Sequence, residues 1–495
     1  MKLKITLLLL TLCTGLLSAQ TVKIGATSYP TITDAITAAV DGDVILISGV
    51  FTEPITISKS ITLRGTNPAT DIIQAAAAPS TTGTGVRAIT LTGLPSALTI
   101  TIENLGVKNG NTSSALNGGG VFIDKITGLV TLKNLIIENN YSGKNGGGVG
   151  IDGSFANIIE CTIKNNSAAT SGGAIVISPN GTAAIDCITN ISQSLIHNNT
   201  ALNGGGIYIN ASNSNAYKTT VNIENSTISN NSATSGSTLA GGGAIYTQNG
   251  TTSGLGTLKL VHTTVYNNTH VSLIKAGIQF GGTTGSVTNF SAYNSIIVGN
   301  DDLSVATGPK AINFANANTT NVVNCILGGT NSPPTLIDDV AKNNQKGKTA
   351  TQSGLTGTLS NEGGATQVIK LNAGSAAVDF CTAATGITIP TIDQRGYTRS
   401  ATYDAGAYEL AGSLSIEDHN FENFAINVYP NPTQGFVKIG GLNTVDSVKV
   451  YSILGSLEKE IHNQNEFNVS DLSSGVHIMM IEGDGQKIVK RIIKE

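Results

Sequence analysis

Apolar and polar residues alternate over short runs through most of this 495-residue chain. That is the period of a strand, because successive side chains of an extended backbone point to opposite faces. Five segments share one pattern: two glycines, then Gly or Ala, then alternating apolar residues. They centre on Gly120-Val121, Gly148-Val149, Ala174-Ile175, Gly206-Ile207 and Ala244-Ile245. The last four each follow an Asn pair, Asn139-Asn140, Asn165-Asn166, Asn198-Asn199 and Asn230-Asn231, and another pair stands at Asn267-Asn268. Ahead of the pairs an apolar column runs Val107, Ile137, Ile163, Ile196, Ile228, Val265, Ile297 and Leu327, at spacings of 26 to 37 residues.

A short strand with a few apolar residues cannot bury its face alone. Stacking equivalent strands about 4.8 Å apart gives each one parallel neighbours and lines a common interior. The pattern therefore predicts a coil, with the uneven spacing taken up by loops outside it. Glycine allows positive φ at tight corners. Asparagine also tolerates that conformation, and stacked Asn side chains can hydrogen-bond along the coil axis. An open coil end exposes core and strand edges, so a cap is required. Residues 31–40 supply one as a helix: Thr31 with Asp34 reads as a capping-box variant, and Ile32, Ala35, Ile36, Ala39 and Val40 share a face. Asp41-Gly42-Asp43 then turns the chain into a strand over 44–47, with further strands at 55–57 and 61–63.

Composition agrees with many strands and tight turns: 58 glycines, no tryptophan, and only 12% charged residues, about half the usual share. The net charge is -4 with charges scattered, and no basic stripe of the kind nucleic acid requires. The first 19 residues read as a secretory signal peptide: Lys2 and Lys4, an apolar run from Ile5 to Leu17, and Leu17-Ser18-Ala19 before Gln20. The run is too short for a membrane span, and no transmembrane segment is expected in the mature chain. After cleavage four cysteines remain, Cys161, Cys187, Cys325 and Cys381, without the CxxC spacing of a zinc site. Aligned on the glycine triplets, Cys161 and Cys187 stack on adjacent coils within disulfide reach; aligned on the Asn pairs, Cys161 instead meets Ser194.

Beyond residue 410 the pattern changes. A polar, acidic stretch over 411–424 reads as a linker, and the alternations Phe436-Val437-Lys438-Ile439 and Val448-Lys449-Val450-Tyr451 predict a small antiparallel sandwich. The fold class expected is thus all-β: a right-handed parallel β-helix solenoid with an N-terminal capping helix, followed by a small antiparallel β-sandwich.

These segments resemble known families. The helix, the turn at Gly42-Asp43, "VFTEPITISKSITLRG" and the repeats are similar to parallel β-helix proteins of the pectin-lyase-like fold. The Asn-Asn and GG[GA]-[IV] units resemble repeats of polymorphic outer-membrane proteins. "LSNEGGATQVIKLNAGSAAVDF", "DQRGYTR" and "YDAGAYEL" resemble the closing segment of bacterial β-helix surface proteins. "VYPNPTQG", "VYSILG", "DLSSGVHIM" and the terminal "KIVKRIIKE" resemble the type A sorting domain of type IX secretion, with His477-Ile478 standing where that family often carries an aromatic. With the signal peptide at 1–19 and the linker at 411–424 read from the residues, the resemblances imply 20–354 as β-helix, 355–410 as its closing segment and 425–495 as sorting domain. The last of them implies the type IX machinery as a partner, and a secreted location or attachment to the outer surface of a Gram-negative cell.

Sequence points to no catalytic, cofactor or metal residue by name. An acidic-sugar lyase of this fold would need carboxylates for Ca²⁺ and Arg or Lys to neutralise the uronate, yet no Arg lies between Arg87 and Arg395. A hydrolase would need facing carboxylates, for which Asp124 and Asp152, on equivalent strands, are the best pair. Asp301-Asp302 and Asp338-Asp339 read as loop acids. Asp379, Asp393, Arg395, Asp404 and Glu409 read as a cap on the last coil. His197 shares its position with Glu138, Lys164, Ser229 and Tyr266, a solvent-facing column; His262 shares one with Asn134, Gln193, Asn225 and Asn294, a turn or ladder. Phe122, Tyr208 and Tyr246 should point outward as an aromatic stripe for a polysaccharide or protein ligand. The reading favoured is a non-catalytic adhesin-like or structural protein, with a polysaccharide lyase or glycoside hydrolase as the alternative.

Overall fold

The architecture follows from one repeated unit, visible in a computed structural model that describes residues 20–179, 185–211, 217–235, 241–249, 256–271, 276–281, 288–300, 310–314, 320–329, 342–382, 387–410, 413–414, 427–440, 442, 444–452, 456–483 and 486–495. The expected signal peptide, most of the linker, and the Asp301-Asp302 and Asp338-Asp339 pairs lie outside the described residues. The chain divides into a unit ending at Ser415 and a second from Ile416.

In the first unit the coils wind through four sheets, parallel except for two antiparallel strands at the start of sheet I, and the first two coils pass from sheet II to sheet IV without a strand in sheet III. One coil shows the order: Leu129–Lys133 in sheet I, Ile136–Glu138 in sheet II, Tyr141–Ser142 in sheet III, Val149–Asp152 in sheet IV, then Phe155–Ile159 back in sheet I. Among the described residues the sheets hold 12, 10, 6 and 9 strands. The winding is right-handed, the sense that parallel crossover connections adopt. The apolar column read from sequence is the inner row of sheet II. Val107, Ile137, Ile163, Ile196, Ile228, Val265, Ile297 and Leu327 pair in register and are fully buried. Each such side chain contributes about 1.5–3 kcal/mol by leaving water.

The corners explain the repeat's polar signature. In each Asn pair the first residue takes the left-handed conformation, φ 58° at Asn139 and 54° at Asn165. The second turns inward and stacks: the Asn166 amide donates to Asn199 Oδ1 at 3.0 Å, Asn199 to Asn231 at 2.9 Å and Asn231 to Asn268 at 2.8 Å. The same oxygens accept the backbone N–H of the preceding rung. Within the glycine triplets the first residue has positive φ, 70° at Gly118 and 68° at Gly146. The second leaves no space for a side chain: a Cβ on Gly147 would lie 2.3 Å from the Ser167 carbonyl oxygen.

The corner between sheets I and II carries a second left-handed row that includes Asn134, Gln193, Asn225, His262 and Asn294, so His262 occupies the turn position its spacing indicated. Beside it, Cys161 N–H donates to Ser194 Oγ at 3.0 Å, while Cys187 pairs with Thr219. The Asn-pair alignment is therefore the one realised. Cys161, Cys187, Cys325 and Cys381 are free and buried, and burial pushes the thiols of Cys161, Cys187 and Cys325 up to about 12.

The capping helix α1 spans Ile32–Ala38. Ile32, Ala35, Ile36 and Ala39 are buried, but the helix has ended before Val40, which is 66% exposed rather than on the buried face. The cap is also simpler than a capping box: Thr31 Oγ1 accepts the Asp34 N–H and donates to the Asp34 carboxylate. Two residues that helix periodicity cannot reveal clamp its ends. Glu53 accepts from the Ile32 and Thr33 N–H groups, and Lys59 donates to the carbonyls of Ile36, Thr37 and Ala39. Each charge sits at the end of the helix dipole that it stabilises.

In the second unit a three-stranded and a four-stranded antiparallel sheet enclose one core. Val437 and Ile439 from the first face Val448, Val450, Met479 and Ile481 from the second. The turn after Tyr429 is tied to the last strand: Asn431 bonds the Arg491 carbonyl and the Ile493 N–H, and Thr433 N–H donates to Ile493 O. His477 is buried between Glu458 (2.6 Å) and the Ser473 carbonyl (2.8 Å).

Candidate functional site

A solenoid acts through its outer faces, and its outward columns differ from sheet to sheet. On sheet IV the expected aromatic stripe points outward but is not available. Tyr208 and Tyr246 stack at 5.8 Å and, with Val176, form a small buried cluster, 8% and 6% exposed. Tyr208 donates its hydroxyl to Gln248. Phe122 lies under the Arg87 guanidinium, 4.6 Å from the ring centroid, and Arg87 is itself held by the carbonyls of Asn117 and Gly118. These aromatics are occupied by the protein's own side chains, a lateral packing that strand alternation does not encode.

Asp124 and Asp152 do stand directly opposite each other on sheet IV. Adjacent parallel strands bring them side by side along one wall rather than across a cleft, and Asp124 pairs with Lys125 at 3.0 Å. Facing carboxylates of a hydrolase are not formed by this pair.

Sheet II carries the charges. Glu138 sits between Lys108 (2.6 Å) and Lys164 (3.2 Å) on successive coils. Burial works to raise its pKa, but the two ammonium groups outweigh that and hold it below the ordinary carboxylate value. His197 follows Lys164 in the same column, its pKa lowered by burial and by that lysine.

Beyond His197 the outer face of sheet II is no longer solvent-facing. Ser229, Leu195, Thr227, Thr264, Ile296 and Ile326 are all buried. What covers them is the closing segment, which corrects its expected place on the last coil. It runs back along the flank and docks on the left-handed corner row. Thr366 Oγ1 donates to the Gln193 carbonyl, Arg399 to Asn225 Oδ1, Gly406 N–H to the Asn294 carbonyl, and Thr382 Oγ1 to Asn324 Oδ1. Ala407 N–H donates to Thr264 Oγ1, and Thr227 Oγ1 to Gln394. Residues 342–348 pair by backbone with the last described coil, through Gln345 and Cys325, and the closing segment reaches that coil at Asn324 through Thr382.

The charged constellation secures this segment. Asp393 holds Arg395 through two contacts at 2.6 and 2.8 Å, and Arg395 lies between the rings of Tyr397 and Tyr408. Arg399, fully buried, pairs with Glu409 at 3.0 Å. Glu409 also accepts from Ser400 and the Asp404 N–H; Asp404 accepts from the N–H groups of Asp379 and Leu410. The carboxylates of Asp393, Asp404 and Glu409 are thus spent on backbone or arginine, whereas Asp379 contributes its N–H and is itself exposed. His262 is buried beneath Tyr403, bonded to Asn294 at 2.9 Å. Burial, then the Arg399 charge, keeps its pKa well below the ordinary value.

Sheet I carries an outward polar row that strand alternation alone does not single out, half-buried along most of its length and exposed at Asn190. Thr62, Thr101, Thr131, Asn157, Asn190 and Asn222 are successive register partners. The three amides bond to one another at 3.0 and 2.9 Å on the outside of the coil. Next to them run Leu129, Phe155 and Ile188, with Leu129 40% and Ile188 36% exposed. A signal did exist: each of these Asn residues stands four positions before the corner residue Cys161, Ser194 or Ser226. Among the described residues no group of three or more His, Cys, Asp and Glu could hold a metal ion. No helix among them is long and apolar enough to cross a membrane.

Fold and faces together define a β-helix solenoid joined to a small sandwich. The comparisons with known proteins address both. Residues 427–495 match the family described as secretion system C-terminal sorting domain. Residues 160–178 and 225–248 match the Chlamydia polymorphic membrane protein repeat, and both stretches run from the sheet I–II corner through an Asn pair and a glycine triplet into sheet IV. Among solved structures, the crystal structure of pectate lyase Pel9A matches at 11% identity and a TM-score of 0.39, covering 77% of this chain and 91% of that one. No curated protein matches the chain. The sorting domain makes this a protein of type IX export, secreted or cell-surface, with the secretion machinery as a partner.

Proposed function

We propose that the coil is a non-catalytic body, adhesin-like or structural, that works by presenting its sheet faces after export, either released or attached to the outer-membrane surface. The observation that carries this reading is the use already made of its charges. Three of the acids that sequence offered for chemistry are ion-paired, Asp124 with Lys125, Asp393 with Arg395 and Glu409 with Arg399, and a fourth, Asp404, is held by the N–H groups of Asp379 and Leu410. A general acid or base needs a carboxyl free to exchange a proton with substrate, and these are committed to partners.

The test is incubation of the purified protein with a panel of acidic and neutral polysaccharides. No release of reducing or unsaturated ends is expected; such release would overturn the reading in favour of a lyase or hydrolase. Routing is tested separately. Deleting residues 425–495 should leave the protein in the periplasm, and undiminished surface display would contradict the role given to that domain.

A further inference from the structure

We infer that the outer face of sheet I is a binding track for an extended neutral polysaccharide. The inference rests on the display reading above and names the ligand class. It starts from the stacked amides of Asn157, Asn190 and Asn222. An Asn amide carries two N–H donors and an oxygen with two acceptor sites. The ladder along the coil uses one donor of Asn190 and Asn222 and one acceptor site of Asn157 and Asn190. Asn190 therefore keeps one donor and one acceptor site beyond the ladder, on the solvent side of the sheet, where it is exposed.

The neighbouring row is of a different kind. Leu129, Phe155 and Ile188 are register partners of one another and offer a partly exposed apolar strip alongside the amides. A sugar ring has the same two sides, hydroxyls at its edge and a C–H face that packs on apolar or aromatic surface. All six side chains are uncharged; Lys259 is the next register partner beyond Asn222, and Lys133 and Glu224 stand at the two ends of the row on the other side of the amides, with Ile159 and Ser192 between them. An acidic polysaccharide would call for a run of cations along the row, and nucleic acid for a basic stripe, whereas the lysines here stand only at its margins. The polar row continues through Thr131 and Thr101 to Thr62. At about 4.8 Å per strand the whole row is about 24 Å long. Such a straight, uncharged row suits a polymer lying along the coil axis better than a small compact ligand.

The experiment is retention of the purified full-length protein on amorphous cellulose, mannan and a β-1,3-glucan, with polygalacturonate as the acidic comparison. Retention on at least one neutral glycan is expected, little changed by salt. Asn190→Ala and Ile188→Glu, both at exposed positions, should each weaken it about tenfold, a difference readily measured, with an unchanged melting temperature. Retention on polygalacturonate alone, on none of the polymers, or on a neutral glycan without loss in either variant overturns the inference. Those results leave the non-catalytic reading standing, whereas release of sugar ends would remove that reading without touching the track.

Discussion

Replacing Asn199 by Ala tests whether the internal amide ladder holds the coils together. Asn199 is fully buried. Its side-chain oxygen accepts the Asn166 backbone N–H at 2.9 Å and the Asn166 amide at 3.0 Å. Its nitrogen donates to Ile163 O, His197 O and Asn231 Oδ1. In the Ala variant the Asn166 N–H is left in a dry interior without its acceptor, at a cost of about 1–3 kcal/mol, and the other lost bonds add about 1 kcal/mol each for those without a second partner. The expected loss is therefore about 3–5 kcal/mol, large against a total stability of about 5–15 kcal/mol. Asn190→Ala removes the same group from the solvent-side ladder, where water replaces the lost bonds, and should change stability by no more than about 0.5 kcal/mol. The assay is guanidinium unfolding followed by circular dichroism, with hydrogen exchange read at the Asn166 amide because a solenoid can open by segments. A loss below about 1 kcal/mol with the Asn166 amide still protected would refute the argument.

Three further outcomes follow from buried groups. His262 stays neutral in the folded protein, its pKa held well below 6.5, so above that pH it is neutral in both folded and unfolded states. As pH falls below 6.5 the unfolded chain gains a proton that the folded one cannot take, and stability should drop by up to about 1.4 kcal/mol per pH unit. Melting curves between about pH 6.5 and pH 5 should show this slope, and His262→Asn, the residue type of neighbouring corners, should flatten it. Cys161, Cys187 and Cys325, with thiols pushed up to about 12, should resist maleimide at pH 8 until denaturant is added; rapid labelling of the native protein would contradict their burial. Arg399→Met leaves Glu409 without its buried cation, a loss of about 3–5 kcal/mol borne by the closing segment. Limited proteolysis should then cut within residues 355–410 faster while the coil keeps its melting temperature; an unchanged cleavage rate would show that the pair is not what holds the segment down.

The inner side of this protein was legible in its sequence. Rows such as Val107 to Leu327, the left-handed first Asn of each pair and the inward second Asn, the glycine triplets and the turn at His262 all recur once per coil, and recurrence is a direct consequence of stacking. The small sandwich showed itself in the same way, through strands such as Phe436–Gly440 and Ser447–Ser452. What sequence did not disclose lies on the outer side. Alternation told which way Tyr208 and Tyr246 point, but not that the two bury each other, nor that a segment more than a hundred residues further on lies over Ile296. Glu53 and Lys59 likewise find the ends of α1 only because the coil brings them beneath it. Outward residues carry no periodic constraint, since any side chain compatible with a strand is accepted there until another part of the chain or a ligand arrives. The repeat thus determined the coil and its interior; only the tertiary structure decided which faces are already taken and left the neutral amide row of sheet I open.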